Sequence, residues 1–200
     1  PVSFKRLILP EKYPPHTELL DLQPLPVSAL RDPTYEAIYA GWANQFNPVQ
    51  TQTFNALYGT DANVLIGAAA GSGKTIAVEF ALLRLWKQSN AGRCVYVAPV
   101  QELVDARVRE WRRRFAPLDK HIVALTGETT ADLKLLEQGD IVCCTPEQWD
   151  VISRRWRQRK LVQSVRLFIA DEIHLLGGDR GGPTYEVVVS RMRYIAARSE

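Results

Sequence analysis

Two short strings in this chain could do chemistry together: Gly71-Ser72-Gly73-Lys74-Thr75 and the carboxylate pair Asp171-Glu172. Glycines let several backbone N–H groups converge on one anion, and a helix starting directly after such a turn adds the positive end of its dipole. In a phosphate-binding loop the lysine, here Lys74, reaches the terminal phosphates, and the Thr75 hydroxyl ligates Mg²⁺. Asp171 lies 97 residues beyond Lys74, after the apolar run Leu167-Phe168-Ile169-Ala170. There Asp171 can hold the magnesium through its water shell, and Glu172 can orient or deprotonate an attacking water. Alone, an Asp-Glu after an apolar run is most often a solvated strand end; the phosphate loop upstream reverses that balance.

The elements around these strings have the required order. An apolar run at Asn63–Gly67 reads as a strand, the glycine turn follows, and a helical pattern covers Thr75–Gln88. Further β-rich runs fall at Arg93–Ala98, His121–Leu125, Asp140–Thr145 and Val165–Ala170. Helical stretches lie between them at Gln101–Phe115, near Ala131–Leu136 and at Pro146–Arg157, with a last helix over Thr184–Ala197. Strand–helix alternation at this spacing predicts an α/β fold, a parallel sheet with helices on both faces. Ahead of it, a short helix passes through Tyr35, Ile38 and Tyr39, and Pro48 opens another through Phe54 and Leu57. Seven of the twelve prolines fall in residues 1–33. Proline removes donors and restricts its neighbours, so this stretch reads as an extended Pro-rich arm ahead of a domain over 34–200.

Composition sets outer bounds. An apolar fraction of 46% and a charged fraction of 24% are ordinary for a globular chain of 200 residues. No apolar run approaches the length of a membrane span. Cys94, Cys143 and Cys144 all sit in apolar runs, and adjacent cysteines on a strand face opposite ways, so they read as buried hydrophobes and not as a metal site. The net charge is +3, and the basic residues cluster. Val151 to Ala170 carries Arg154, Arg155, Arg157, Arg159, Lys160 and Arg166 with no acid. This run, and Arg107, Arg109, Arg112, Arg113 and Arg114, read as solvated helix surface more readily than as a nucleic-acid track. Trp111 and Trp149 read as core anchors.

Asp171-Glu172-Ile173-His174 resembles motif II of the Ski-like superfamily 2 DExH RNA helicases, and Ala68–Thr75 resembles their motif I. The resemblance covers nearly the whole chain. Phe46-Asn47-Pro48-Val49-Gln50 is similar to the segment that reads adenine, with Gln50 addressing the base. Ala98–Leu103 is similar to motif Ia, and Leu125-Thr126-Gly127-Glu128 and Thr145-Pro146-Glu147 to the next RNA-contacting motifs. Longer stretches look like the tandem-cassette helicases of the spliceosome: Leu7–Pro15, Leu20–Val27, Ser153–Lys160 and Ser190–Ile195. Within that group they resemble the lead-in and first RecA-like domain of the second cassette.

That resemblance implies an ATP-dependent RNA helicase domain acting in pre-mRNA splicing in the nucleus, a P-loop RecA-like fold, and ATP or ADP with Mg²⁺ as cofactors. It implies nucleotide contacts from Phe46, Gln50, Ala70, Gly71, Ser72, Gly73, Lys74 and Thr75, and catalysis by Lys74, Asp171 and Glu172. Thr75 and Asp171 would serve the metal, His174 would couple nucleotide state to a partner domain, and Pro99, Gly127, Thr145 and Pro146 would meet RNA. The implied partners are RNA, small nuclear RNA duplexes in particular, spliceosomal proteins and the remaining helicase domains of the same polypeptide. One departure stands out: Ala69-Ala70 replaces the usual Pro-Thr. It keeps open a regulatory cassette that binds nucleotide and hydrolyses little. A DNA helicase of the same subfamily is a third reading. The chain lacks an initiator Met and is expected to be a piece of something longer. The resemblance places a further strand between the P-loop and motif II strands, and a second RecA-like domain, after Glu200. Residues 1–200 alone are therefore expected to be aggregation-prone.

Overall fold

The computed structural model describes residues 23–88, 92–178 and 181–198. Its centre is a parallel sheet of four strands, β1 (Arg93–Val97), β2 (Ile122–Ala124), β3 (Ile141–Cys144) and β4 (Val165–Ala170), in the order β2-β3-β1-β4. Parallel strands need long return connections, and here these are helices. Eight helices are described: α1 (Pro33–Ala37), α2 (Pro48–Gly59), α3 (Lys74–Lys87), α4 (Gln101–Arg114), α5 (Thr129–Gln138), α6 (Pro146–Ser153), α7 (Lys160–Gln163) and α8 (Gly182–Ala196).

The strands alternate their side chains between two cores, as a pleat requires. Cys94, Tyr96, Ile141 and Cys143 enter one core with Phe80 and Leu83 of α3 and Val104 and Trp111 of α4. Val95, Val97, Val142 and Cys144 enter the other with Leu136 of α5, Trp149 of α6 and Tyr185, Val188 and Met192 of α8. Helices on both faces explain why β1 and β3 read as continuous apolar runs and not as alternating ones. Both tryptophans expected in the core are fully buried, and all three cysteines are buried and free.

Two local expectations need correction. The run Asn63–Gly67 forms no strand: Val64 is 38% exposed and Leu65 79%. Strand structure is stabilised by a neighbour's ladder, and no described strand pairs with this run, so its β-propensity has nothing to act on. Within the expected arm, residues 1–22 lie outside the described residues, and 23–33 do not simply extend over a surface. Pro26 bridges Gln45, Val27–Leu30 coils into a 3₁₀ turn, and Leu30 is wholly buried. Tyr58 of α2 donates to the Leu30 carbonyl at 2.8 Å. Residues 23–32 form no α-helix, but the apolar Leu30 among them still found a core.

Candidate nucleotide site

α3 begins at Lys74, immediately after Gly73, whose φ of 85° lies in the left-handed region. A side chain there would be strained and would also displace two neighbouring amides. Beyond the backbone cost, a Cβ would stand 2.4 Å from Gln50 Nε2 and 2.8 Å from Asn47 Nδ2. Those two amides tether the loop: Asn47 Nδ2 donates to the Ser72 carbonyl at 2.9 Å and Gln50 Nε2 to the Gly73 carbonyl at 3.3 Å. Their other ends form the capping box of α2. Asn47 Oδ1 accepts the Gln50 amide and Gln50 Oε1 accepts the Asn47 amide, with Pro48 in the first turn. One N-cap motif thus both starts a helix and fixes the phosphate loop against it.

This geometry bears on two expected nucleotide contacts. Phe46 is 1% exposed and packs among Tyr39, Phe54 and Phe80, so it is a core residue and not a base platform. Gln50 has both ends of its amide engaged within the chain, with one N–H and one lone pair left over, so any adenine contact would share the side chain with the Gly73 and Asn47 tethers. The remaining loop residues suit a phosphate. The Ser72 hydroxyl is buried without a hydrogen-bond partner, and Lys74 Nζ donates to the carbonyls of Ala68 and Ala69 at 2.7 and 2.9 Å. An ammonium already drawn over its own loop by neutral carbonyls gains more from anionic oxygens at the same place.

The loop and the carboxylates lie at one edge of the sheet. α3 and α4 end together, with the Trp86 and Phe115 rings 5.0 Å apart, so both helices start at the edge where the strands end. α3 also packs against β4, whose last residue precedes Asp171. Asp171 is fixed on every side. Its N–H donates to the Val97 carbonyl at 2.9 Å, and its own carbonyl accepts the Tyr185 hydroxyl at 2.6 Å. Oδ1 accepts the Glu172 amide at 2.9 Å and Oδ2 the Tyr96 hydroxyl at 2.5 Å. Burial, then the charge of Asp171, pushes both phenols above their ordinary pKa, so each remains a donor. Glu172 holds a left-handed backbone with φ 51°, a strained conformation for a residue with a side chain. Its carboxylate meets His174 Nδ1 at 3.3 Å, and both side chains are substantially exposed.

Thr75 and Asp171 are hard oxygen donors of the kind magnesium uses. Among the described residues no cluster of three or more His, Cys, Asp or Glu could hold a metal by itself. That donor set fits an ion held mainly by phosphate and water, with one or two protein oxygens.

The expected RNA contacts share this edge. Pro99 follows β1, Gly127 (φ 92°) follows β2, and Thr145 and Pro146 follow β3. Gly127, Thr145 and Pro146 also have structural tasks. Thr145 caps α6 in a reciprocal box with Gln148, and Pro146 occupies the first turn. The amides of Thr126 and Gly127 donate to buried Asp132 at 2.7 and 3.0 Å, so they are not free for a phosphate. Sequence reading missed Asn47, Tyr96, Asp132 and Tyr185. Asn47 was legible, since Asn-Pro with Gln at the third helical position is a capping box. Tyr96 was half legible, since a phenol in a doubly buried strand needs a partner.

A family model of DEAD/DEAH box helicases matches residues 47–199. The human U5 small nuclear ribonucleoprotein 200 kDa helicase is 57% identical over the full chain, and the pre-mRNA-splicing factor brr2 of Schizosaccharomyces pombe is 50% identical over the same span. The chain spans 9% of the length of each of these relatives. The solved structure of the Mycobacterium smegmatis helicase Lhr bound to ssDNA and AMP-PNP superposes with a TM-score of 0.70 at 20% identity, covering 85% of this chain and 24% of that one. This last likeness speaks for the fold. With a glycine-cradled lysine and an Asp-Glu-Ile-His string at one edge of a parallel sheet, and a family match spanning both, the chain belongs to the DEAD/DEAH box helicases.

Proposed function

We propose that this chain is the ATP-binding, first RecA-like domain of an ATP-dependent RNA helicase that acts in pre-mRNA splicing in the nucleus. The observation that carries the reading is the shared edge: the Lys74 loop at the start of α3, and Asp171-Glu172 at the end of the strand that α3 packs against. Ala70, Gly71, Ser72, Gly73 and Lys74 would hold the phosphates of ATP or ADP. Thr75 and Asp171 would meet the magnesium, which supplies charge neutralisation at the phosphates when bound. Glu172 would orient water, and His174, exposed and paired with it, would report the state of the site to a neighbouring domain. Pro99, Gly127, Thr145 and Pro146 would line the RNA side, through side chains and groups other than the occupied Thr126 and Gly127 amides. Small nuclear RNA duplexes, spliceosomal proteins and further helicase domains of the same polypeptide are the proposed partners. The named relatives support this part of the reading.

A second reading, a nucleotide-binding regulatory cassette with little hydrolysis, has Ala69-Ala70 in its favour, together with the hold that the loop carbonyls keep on Lys74. In the full-length polypeptide, Lys74→Ala should weaken ATP binding by about 2–5 kcal/mol through lost charge-assisted contacts. Unchanged affinity would remove the site assignment. Glu172→Gln should leave binding intact and reduce RNA-stimulated turnover. If turnover is the same with and without that change, the regulatory reading holds. Unwinding of a DNA duplex in preference to RNA would overturn the choice of substrate.

A further inference from the structure

The carboxylate assigned to magnesium is oriented by a residue that belongs to none of the motifs. Asp171 Oδ2 accepts the hydroxyl of Tyr96, which stands in the middle of β1 on the neighbouring strand. Tyr96 is 2% exposed. Its ring is braced edge-on by Trp111 at 5.2 Å, and the Arg107 guanidinium lies over it at 5.7 Å. A phenol in a strand buried on both faces is harder to bury than phenylalanine unless its hydroxyl is partnered. Here the partner is the carboxylate of Asp171, directly after β4. By contrast Tyr185, which approaches from the other face of the sheet, bonds the main chain of Asp171. The main chain of Asp171 and the rotamer of its carboxylate are therefore set by different residues.

We propose that Tyr96 is a positioning residue for Asp171: its phenol fixes the carboxylate in the orientation that meets the magnesium–nucleotide complex. The inference rests on the nucleotide reading above. One O–H bond uses one lone pair of Oδ2 and the Glu172 amide one of Oδ1, so acceptor capacity remains on both oxygens for the water shell of a metal. The brace also has a direction. Arg107 and Trp111 belong to α4, so the orientation of Asp171 is tied to the helix that follows Pro99 at the RNA side of the edge.

The test is a Mg²⁺ titration of fluorescent ADP binding to the full-length polypeptide. The signal of this site is defined as the part lost in Lys74→Ala. Tyr96→Phe keeps the ring and its braces and removes only the hydroxyl. Half-saturating Mg²⁺ should rise about tenfold, as is usual when a partner of a metal-binding group is removed. ADP affinity in EDTA should stay unchanged. In an Asp171→Asn background the same substitution should add nothing, because a positioning effect acts through that carboxylate. A folded Tyr96→Phe with unchanged Mg²⁺ dependence overturns the proposal. So does a full effect in the Asp171→Asn background, or a fall in half-saturating Mg²⁺, which would make the phenol a competitor of the metal. Absence of any Lys74-dependent signal in the wild type would instead overturn the nucleotide reading beneath it. Circular dichroism confirms folding of each variant.

Discussion

Gln50, expected to read the base, is also part of the frame. Its amide joins the Asn47 amide to the Gly73 carbonyl, spanning the gap between the cap of α2 and the phosphate loop. Truncating it removes both bonds, and losing half of a capping box costs about 1 kcal/mol by itself. A loosened loop affects the phosphates, which ATP and GTP share. Gln50→Ala should therefore weaken the two nucleotides equally in competition binding. A loss confined to ATP would return Gln50 to the adenine. Phe46 makes the same point more strongly, since its neighbours are three aromatic rings of the core. The string around it was legible, but its meaning depended on which way the ring turned.

At the scale of elements, α3 is joined to α4 by a buried carboxylate. Glu79 is inaccessible to solvent, accepts the Tyr39 hydroxyl and the Trp111 indole at 3.0 Å each, and lies 3.3 Å from Arg114. Burial outweighs these partners and raises its pKa from 4.5 to about 7. A carboxyl whose folded pKa is raised binds its proton more tightly when folded. Its contribution is most favourable below about pH 4.5 and is lost as pH rises through about 7. The loss is on the order of 1–3 kcal/mol. Glu79→Gln keeps an acceptor for Trp111 and carries no charge. Hydrogen exchange of α3 and α4 amides, corrected for intrinsic rates, should show protection falling between pH 5 and pH 8, roughly across that window, in the wild type. The slope should be much flatter in the variant. Parallel slopes would mean that Arg114 keeps the carboxylate charged throughout. No periodicity reveals such a pair, because Glu79 and Arg114 are 35 positions apart and meet only when the two helices share a face of the sheet.

For the molecule as a whole, the thiols report on the centre of the sheet. Cys94, Cys143 and Cys144 are wholly buried on the two middle strands, split between the two cores, and burial raises the pKa of each. Thiolate chemistry then waits for the strands to open. Under native conditions a water-soluble disulfide reagent should leave all three unmodified, and in urea they should react together with one denaturant dependence. Early reaction of Cys143 or Cys144 alone would mean that β3 leaves the sheet independently of β1. The same split between two cores gives the fold its tolerance of mostly apolar strands, since helices cover both faces.

Much of this protein follows from local chemistry. The glycine turn, the capping signals at Pro48 and Pro146, and the apolar runs of β1, β3 and β4 specify their own conformations through backbone sterics and burial within a few residues. The helix boundaries consequently agree with the periodicity to within a few positions, as do the core tryptophans and the parallel α/β architecture. Tertiary structure decided what depends on neighbours distant in the chain. Asn63–Gly67 has strand composition but no ladder beside it, so it stays irregular. Val27–Leu30 has prolines around it but coils to bury Leu30. Asp171 was legible as a carboxylate at a strand end. Its hydrogen-bond partners were not, because the phenol on its carboxylate comes from a strand 75 residues before it and the phenol on its main-chain carbonyl from a helix 14 residues after it, brought together only by the sheet.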